Sequence, residues 1–320
     1  MSFSSESEFL DFIARYFPRT HPHLVLGRDD DCALIKSKRT LCLSSDLFLE
    51  DIHFSRRYFS PLDIGYKALA VNISDISAMG AMPRGFLLNL MIPDGLDSLF
   101  WEQFFEGMAN LAKQFDLALA GGDISRAPFL GIDITIWGEV ADRWLERKRC
   151  QPGDIVFVIG PIGLARVGRM VLETGLDPID YPKSVQCHLR PRLFVDQALR
   201  LAALSGVGGL MDVSDGLVRD LPRFLGPELG VHVALREEDL HQEVVQYTSR
   251  QNLSSLDFAL KGGEDYSLLG CAQKKVLPVL QNAFSEWVYL GEVLSASGMS
   301  LHGKEFTSQG FDHFSQEIQK

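Results

Sequence analysis

The chain has 320 residues, 46% of them hydrophobic and 23% charged, and a formal net charge of −11. That length suggests about two domains of roughly 150 residues each, and the mix supplies enough apolar side chains for a sizeable core. The acidic balance lacks the basic footprint of a nucleic-acid or anionic-membrane binder, and no apolar run approaches the roughly 20 residues of a membrane span.

The polar, acidic start, Met1 to Glu8, is unlike a signal peptide. Five scattered cysteines without a C-x-x-C pair argue against zinc or redox chemistry. They fit reduced thiols, so a cytoplasmic location is expected. Residues 6–17 read as an amphipathic helix with Phe9, Phe12, Ile13 and Phe17 on one side. A hairpin is expected next, with Cys32 to Ile35 and Leu41 to Ser44 joined by a basic turn, placing Asp31 and Asp46 at its open end. Residues 62–79 form the clearest helix. Ile64, Ala68, Asn72, Asp75 and Met79 fall on one stripe, with Gly80 as C′ residue and Pro83 as a stop. An Asp on such a stripe must be paired or bind metal.

A strand at 85–92 leads to a helix near 98–115, capped by Asp97 or Ser98, with Phe100, Phe104, Met108, Leu111 and Phe115 on its apolar face. Leu117 to Ala120 reads as a strand ending at Gly121-Gly122-Asp123, and Ile132 to Val140 as another. The charged stretch from Arg143 to Asp154 is the candidate linker, giving domains at 1–142 and 143–320. Beyond it come a strand at Ile155 to Ile159, a helix from Leu164 to Glu173 closed by Gly175, and a loop over 176–190. A helix at 192–204, a short strand into Asp212 and a helix running from Asp215 toward Leu221 follow. Strands near 231–235, 267–272 and 287–294 complete the reading. Strands and helices mixed without strict alternation predict an α/β (α+β) chain of two domains.

Six short acidic motifs punctuate these elements: Asp29-Asp30-Asp31, Ser44-Ser45-Asp46, Asn72-Ile73-Ser74-Asp75, Gly121-Gly122-Asp123, Asp212-Val213-Ser214-Asp215-Gly216 and Gly262-Gly263-Glu264-Asp265. Each alone has an ordinary reading. An acidic triplet suits a solvated turn, Asp46 suits a turn cap, paired glycines suit a tight turn, and Ser214 or Asp215 suits a helix N-cap. His53 alone reads as a structural or surface side chain. Together they point elsewhere. Carboxylates gathered in one cleft repel unless cations lie between them. Hard oxygen ligands suit Mg²⁺, which normally shares such sites with substrate phosphates. A Mg-dependent enzyme handling a nucleotide is therefore expected. Walker A, dinucleotide-binding, zinc-protease and hydrolase-elbow motifs are absent from the sequence.

In order and spacing, the motifs resemble the thiamine-monophosphate kinase family. That family shares a superfamily with aminoimidazole-ribonucleotide synthetase, selenophosphate synthetase and the hydrogenase-maturation dehydratase. The resemblance rests on Asp63 to Pro83, Ser45 to Phe54, Gly121 to Arg126, Asp212 to Leu221 and Gly262 to Tyr266, and it runs from about Phe9 to Phe314. It implies transfer of a phosphoryl group from ATP to thiamine monophosphate, in line and without a phosphoenzyme, giving thiamine diphosphate. It implies that Asp31, Ser44, Ser45, Asp46, Asp75, Asp123 and Asp212 hold several Mg²⁺ ions, with Asp215 on a further one and Asp30 as a weaker candidate. Gly121, Gly122, Asp123, Arg147 and Ser214 would contact ATP; His53, Glu264 and Phe311 would line the acceptor pocket. No single catalytic residue is implied, because an acceptor phosphate is already deprotonated near neutral pH. A two-domain fold with N-terminal sheets paired in a homodimer is also implied, the N-terminal domain carrying ATP and Mg²⁺ and the C-terminal one completing the substrate site. Departures from the family pattern fall at Asp29, Asp51, Ile124 and Ser267. A sister enzyme acting on another phosphate or amide substrate, or a non-catalytic nucleotide-binding paralogue, remain as alternative readings.

Overall fold

The computed structural model describes residues 5–28, 32–301 and 304–305. The chain divides into two compact units between Trp144 and Leu145.

In the first unit, Ser5 caps α1 (Glu6–Ile13) by accepting the Glu8 N–H, a side-chain cap of the preferred kind. Phe9, Phe12, Ile13 and Phe17 are all buried, as the helical spacing predicts. The strand β1 (Leu41–Leu49) leads through a turn to α2 (Pro61–Ala78), where Ser60 and Asp63 form a reciprocal capping box. Gly80 follows with φ +68°, as expected for a C′ residue. The chain then continues as β2 (Ala81–Ile92), α3 (Ser98–Gln114), β3 (Ala118–Arg126) and β4 (Gly131–Val140). Asp97 caps α3 by accepting from the Phe100 N–H. The sheet order is β1-β4-β2-β3, with β2 and β3 parallel and the other pairs antiparallel. Helix α1 docks on α3 through aromatic rings. Phe9 meets Trp101 edge-on at 5.0 Å, and Phe12 meets Phe105 edge-on at 6.0 Å.

Three expectations change here. The hairpin before β1 does not form: Leu34 bridges Leu26, and β1 pairs with β4 from Leu41↔Glu139 to Leu49↔Gly131. Asp46 is therefore in mid-strand. The helix ends at Ala78, ahead of Pro83 as its expected stop, but Pro83 itself sits inside β2, at an irregularity in its register with β4, a place where a strand tolerates a missing N–H. Gly121-Gly122-Asp123 lies within β3 rather than at its end.

The second unit opens with Leu145 and Cys150 buried, so most of the expected linker is fixed to this unit. Its elements are β5 (Ile155–Ile159), α4 (Leu164–Thr174), α5 (Pro182–Leu189), α6 (Val195–Ala203), β6 (Val207–Val213), α7 (Leu217–Leu225) and β7 (Gly230–Val233). Then come α8 (Gln242–Arg250), α9 (Ser255–Leu260), β8 (Ser267–Ala272), α10 (Leu277–Ala283), β9 (Trp287–Leu294), β10 (Gly298–Leu301) and β11 (Lys304–Glu305). The sheet order is β11-β10-β7-β9-β5-β8-β6. Apolar residues cover both faces. Val156 and Val158 join one core with α4 and α7, while Ile155, Phe157 and Ile159 join another with α6 and α10. That two-sided burial explains the unbroken apolar run of β5.

The loop expected over 176–190 contains a 3-10 turn, Pro178–Asp180, and the whole of α5. Helix α7 starts at Leu217 with Gly216 as N-cap, so neither Ser214 nor Asp215 caps it, and Pro222 lies inside it. Leu217, Val218, Leu221, Phe224 and Leu225 are buried on one side. That burial outweighs the one backbone bond that a proline removes.

Candidate functional site

In the first unit the carboxylates meet where α2 crosses β1. Strand alternation directs Ser44, Asp46 and Phe48 toward the helix-covered face. The Ser44 hydroxyl donates a short hydrogen bond to Asp75 Oδ2. Asp46 and Asp75 also share a hydrogen bond, and Asp46 is pushed up to about 7 by burial, by the Asp75 charge, by that shared bond and by Asp133. Two carboxyls share a hydrogen bond only when one of them carries a proton. A cation can stand in for that proton, and the donor set of two carboxylates and a hydroxyl is oxygen only, as Mg²⁺ prefers. Among the described residues no group of three His, Cys, Asp or Glu side chains is placed to hold a metal. A Mg²⁺ ion at Asp46 and Asp75 would complete its shell with water and phosphate oxygens, its usual habit.

Ser45 turns the other way. Its hydroxyl reaches Thr135 Oγ1 at 2.9 Å and Asp133 Oδ1 at 3.3 Å on the opposite face, and Asn89 Nδ2 donates to Asp133 at 2.8 Å. Its side chain therefore does not join Asp46 and Asp75. Asp123 is also apart from them. It lies on β3, and β1 and β3 are the two outer strands of the sheet. Three strand spacings, roughly 14 Å, separate them. Beside Asp123, Gly122 has φ +150°, and a Cβ there would lie 1.7 Å from the Leu88 carbonyl oxygen, so only glycine fits.

His53 follows β1 in a tight turn. The His53 N–H donates to the Leu49 carbonyl at 2.8 Å, and the Leu49 N–H donates to His53 Nδ1 at 3.0 Å. With Nδ1 accepting, the neutral ring carries its proton on Nε2, a donor suited to an anion. Asp51 in the same turn has φ +60°. That is the conformation a glycine takes without cost, and short polar Asp tolerates it.

In the second unit two motifs pack backbone to backbone. Strands β6 and β8 pair with Val213 opposite Ser267. The Glu264 N–H donates to the Ser214 carbonyl at 2.8 Å, and the Tyr266 N–H to the Val213 carbonyl at 2.9 Å. A Cβ at Gly263 would lie 2.6 Å from the Ser214 oxygen. Glu264 and Tyr266 take φ +64° and +50°, strained values for side-chain-bearing residues. The Asp265 carboxylate is buried between them and accepts from the N–H groups of Gly163 at 2.5 Å and Ala165 at 2.8 Å. Burial pushes it up to about 7 against the pull of those amides. Glu264 Oε2 is 3.1 Å from Nδ1 of His188, which is 1% exposed.

Asp212, the residue before the last of β6, is buried. The Asp215 N–H donates to Asp220 Oδ2 at 3.0 Å, its carboxylate contacts Arg223, and Arg219 is 3.7 Å away. Asp220 is fully buried and is pushed up to about 7 by desolvation and by the Asp215 charge. Arg147 is exposed on a segment held by the Lys148 N–H bond to the Phe224 carbonyl at 2.7 Å. Asp30, Asp31 and Phe311 lie outside the described residues.

Sequence reasoning did not assign roles to Asp220, Asp265, Arg219, Arg223 or His188. Asp265 and Asp220 stood within the quoted motifs, and their burial is the missing signal. His188 was hidden in a segment read as loop.

The AIR synthase related protein, N-terminal domain family matches residues 29–140. The thiamine-monophosphate kinase of Aquifex aeolicus (strain VF5) is 31% identical over 295 residues, covering 91% of this chain and 93% of the relative. A crystal structure of thiamine-monophosphate kinase from Stenotrophomonas maltophilia K279a superposes with a TM-score of 0.82 at 30% identity, over 95% of this chain and 98% of that one. A structure of AaThiL complexed with AMPPCP and TMP superposes with a TM-score of 0.78 at 28% identity, over 98% and 99%. With the motif order, the fold and these likenesses in agreement, the chain belongs to the thiamine-monophosphate kinase family.

Proposed function

We propose that this chain is a kinase that transfers the terminal phosphoryl group of ATP to thiamine monophosphate, giving thiamine diphosphate and ADP. The observation that carries the reading is the Ser44–Asp46–Asp75 cluster, in which two carboxylates share a bond that a proton or a cation must hold, in a chain of this family. The relative bound to AMPPCP, whose bridging methylene replaces an anhydride oxygen of ATP, and to TMP supports the same donor and acceptor.

Donor and acceptor are both phosphate anions, so their mutual repulsion is a main barrier. Several Mg²⁺ ions, when bound, neutralise that charge and align the acceptor oxygen for in-line attack. Asp46, Asp75 and Ser44 would hold one or more of them; Asp30, Asp31, Asp123, Asp212 and Asp215 are the further ligands we assign, and Ser45, whose side chain faces the other side of the sheet, has only its backbone oxygen to offer. Gly121 and Gly122 bring bare backbone to the nucleotide, and Arg147 and Ser214 contact its phosphates. His53 offers Nε2–H to the acceptor phosphate, and Glu264 with Phe311 receives the thiamine moiety. No protein base is required, since the acceptor oxygen is already ionised.

The unit bearing Asp46 and Asp75 serves ATP, Mg²⁺ and dimerisation, and the unit bearing Glu264 completes the substrate site. We assign the working form as a homodimer. Leu43, Leu47 and Leu87 are 69%, 53% and 38% exposed on the first sheet, an apolar surface that a second copy would cover. A second copy could also bring its outer strand, with Asp123, to the edge that carries Asp46. We place the chain in the cytoplasm, without nucleic-acid or membrane partners. The free thiols, the acidic charge and the lack of any membrane-length apolar helix among the described residues accord with this.

Asp75→Asn is the test. With ATP, thiamine monophosphate and Mg²⁺, thiamine diphosphate formation should fall by about 10²–10³-fold while the thermal midpoint stays near that of the parent chain. Unchanged turnover would remove the metal assignment.

A further inference from the structure

Glu264 has its backbone fixed on every side. Its own N–H and that of Tyr266 are tied to the Ser214 and Val213 carbonyls, and Asp265 between them is tied to two amides at the start of α4. The left-handed φ of Glu264 and Tyr266 is maintained by these bonds. What these backbone bonds leave undetermined is the side-chain torsion, and one contact that bears on it is His188 Nδ1 at 3.1 Å from Oε2.

His188 is itself held tightly. It lies in the last turn of α5, whose first turn is capped by the buried Glu243 carboxylate, which accepts from Lys183 N–H at 3.1 Å and Ser184 N–H at 2.7 Å. Helices α4 and α5 touch at Gly168, where a Cβ would lie 2.0 Å from the Ser184 oxygen and 2.9 Å from His188 Cβ. The ring thus has little room to move, and the carboxylate beside it is 28% exposed. A buried, immobile partner against a partly exposed acid is the arrangement that preorganises a binding group.

We propose that His188 is a positioning residue for acceptor specificity: it holds one oxygen of Glu264, so that the carboxylate meets the cationic or amino-bearing part of the acceptor in a single orientation. The inference rests on the reading that Glu264 lines the acceptor pocket.

The test uses the full chain, with ATP and thiamine monophosphate varied separately. His188→Phe keeps a buried ring and removes both nitrogens, and His188→Gln restores a donor. The proposal expects His188→Phe to raise KM for thiamine monophosphate about tenfold, with KM for ATP within about twofold and a thermal midpoint near that of the parent. It expects His188→Gln to recover most of the loss. On a Glu264→Gln background, His188→Phe should add little further. An unchanged acceptor KM in folded His188→Phe, or equal rises in both KM values, overturns the positioning role. If His188→Phe does not fold, the smaller His188→Asn takes its place and is judged by the same split. Glu264→Gln without effect on the acceptor KM would instead remove the pocket reading, and the positioning role with it.

Discussion

Single residues decide the electrostatics of this chain. Asp46, Asp220 and Asp265 are each raised from 3.8 to about 7, with burial as the first cause in every case. A carboxyl whose folded value lies above its unfolded one binds its proton more tightly when folded. Its contribution to stability is fully present below about pH 4 and is lost as pH rises through 7. The metal-free chain should therefore melt several degrees lower at pH 8.5 than at pH 5.5, measured by calorimetry in chelator. Mg²⁺ should recover part of that loss at pH 8.5, through Asp46. A midpoint that rises with pH over this window would contradict the assignment of buried, protonated carboxyls. Asp75 was legible as unusual because it interrupts an apolar stripe on α2. Its partner was not, since the pairing of β1 with β4 and the crossing of α2 lie beyond local pattern. Ser45 differs, since strand alternation alone, a local pattern, turns it away from Ser44.

At the scale of elements, capping carries much of the order around the site. The N-cap of α4, Gly163, has no side chain to offer, and the Asp265 carboxylate, far along the chain, takes that place. Asp265→Asn should keep one accepting oxygen and lose the other. It should cost about 1–3 kcal/mol, the usual cost of leaving a buried polar group without its bond. Urea unfolding would read that cost, and an unchanged midpoint would show that the turn is held by its backbone bonds alone. The long periodic helices α2 and α3 and the apolar strand β5 were legible because burial imposes their pattern over many residues. Of the short helices, α1, α6 and α7 were legible, but α5, α8, α9 and α10 were not. Helix α5 has eight residues and starts at a proline, and α8, α9 and α10 are similarly brief. The helix expected to run toward Leu221 continues through Pro222 to Leu225, because the buried face on both sides of the proline is a tertiary gain. The glycine pair before Asp123 read as an end, yet Gly122 is there to let β3 pass close to β2.

For the molecule as a whole, the acidic motifs in the sequence are what lead us to propose a metal and phosphate site. Their distribution was not announced. Asp46 and Asp75 meet in the first unit, Asp123 stands on the far strand of the same sheet, and Ser214 and Glu264 meet in the second unit. Within the first unit, the leucines exposed on the sheet are the surface on which the proposed second copy would sit. The central claim is direct, metal-dependent transfer from ATP to thiamine monophosphate. The measurement that tests it most directly is a single turnover with γ-labelled ATP, thiamine monophosphate and the parent chain, with and without Mg²⁺. The account predicts label passing straight into thiamine diphosphate, only with Mg²⁺, and none retained on the protein. Label trapped on the chain, or no labelled thiamine diphosphate although ATP is bound, would contradict it.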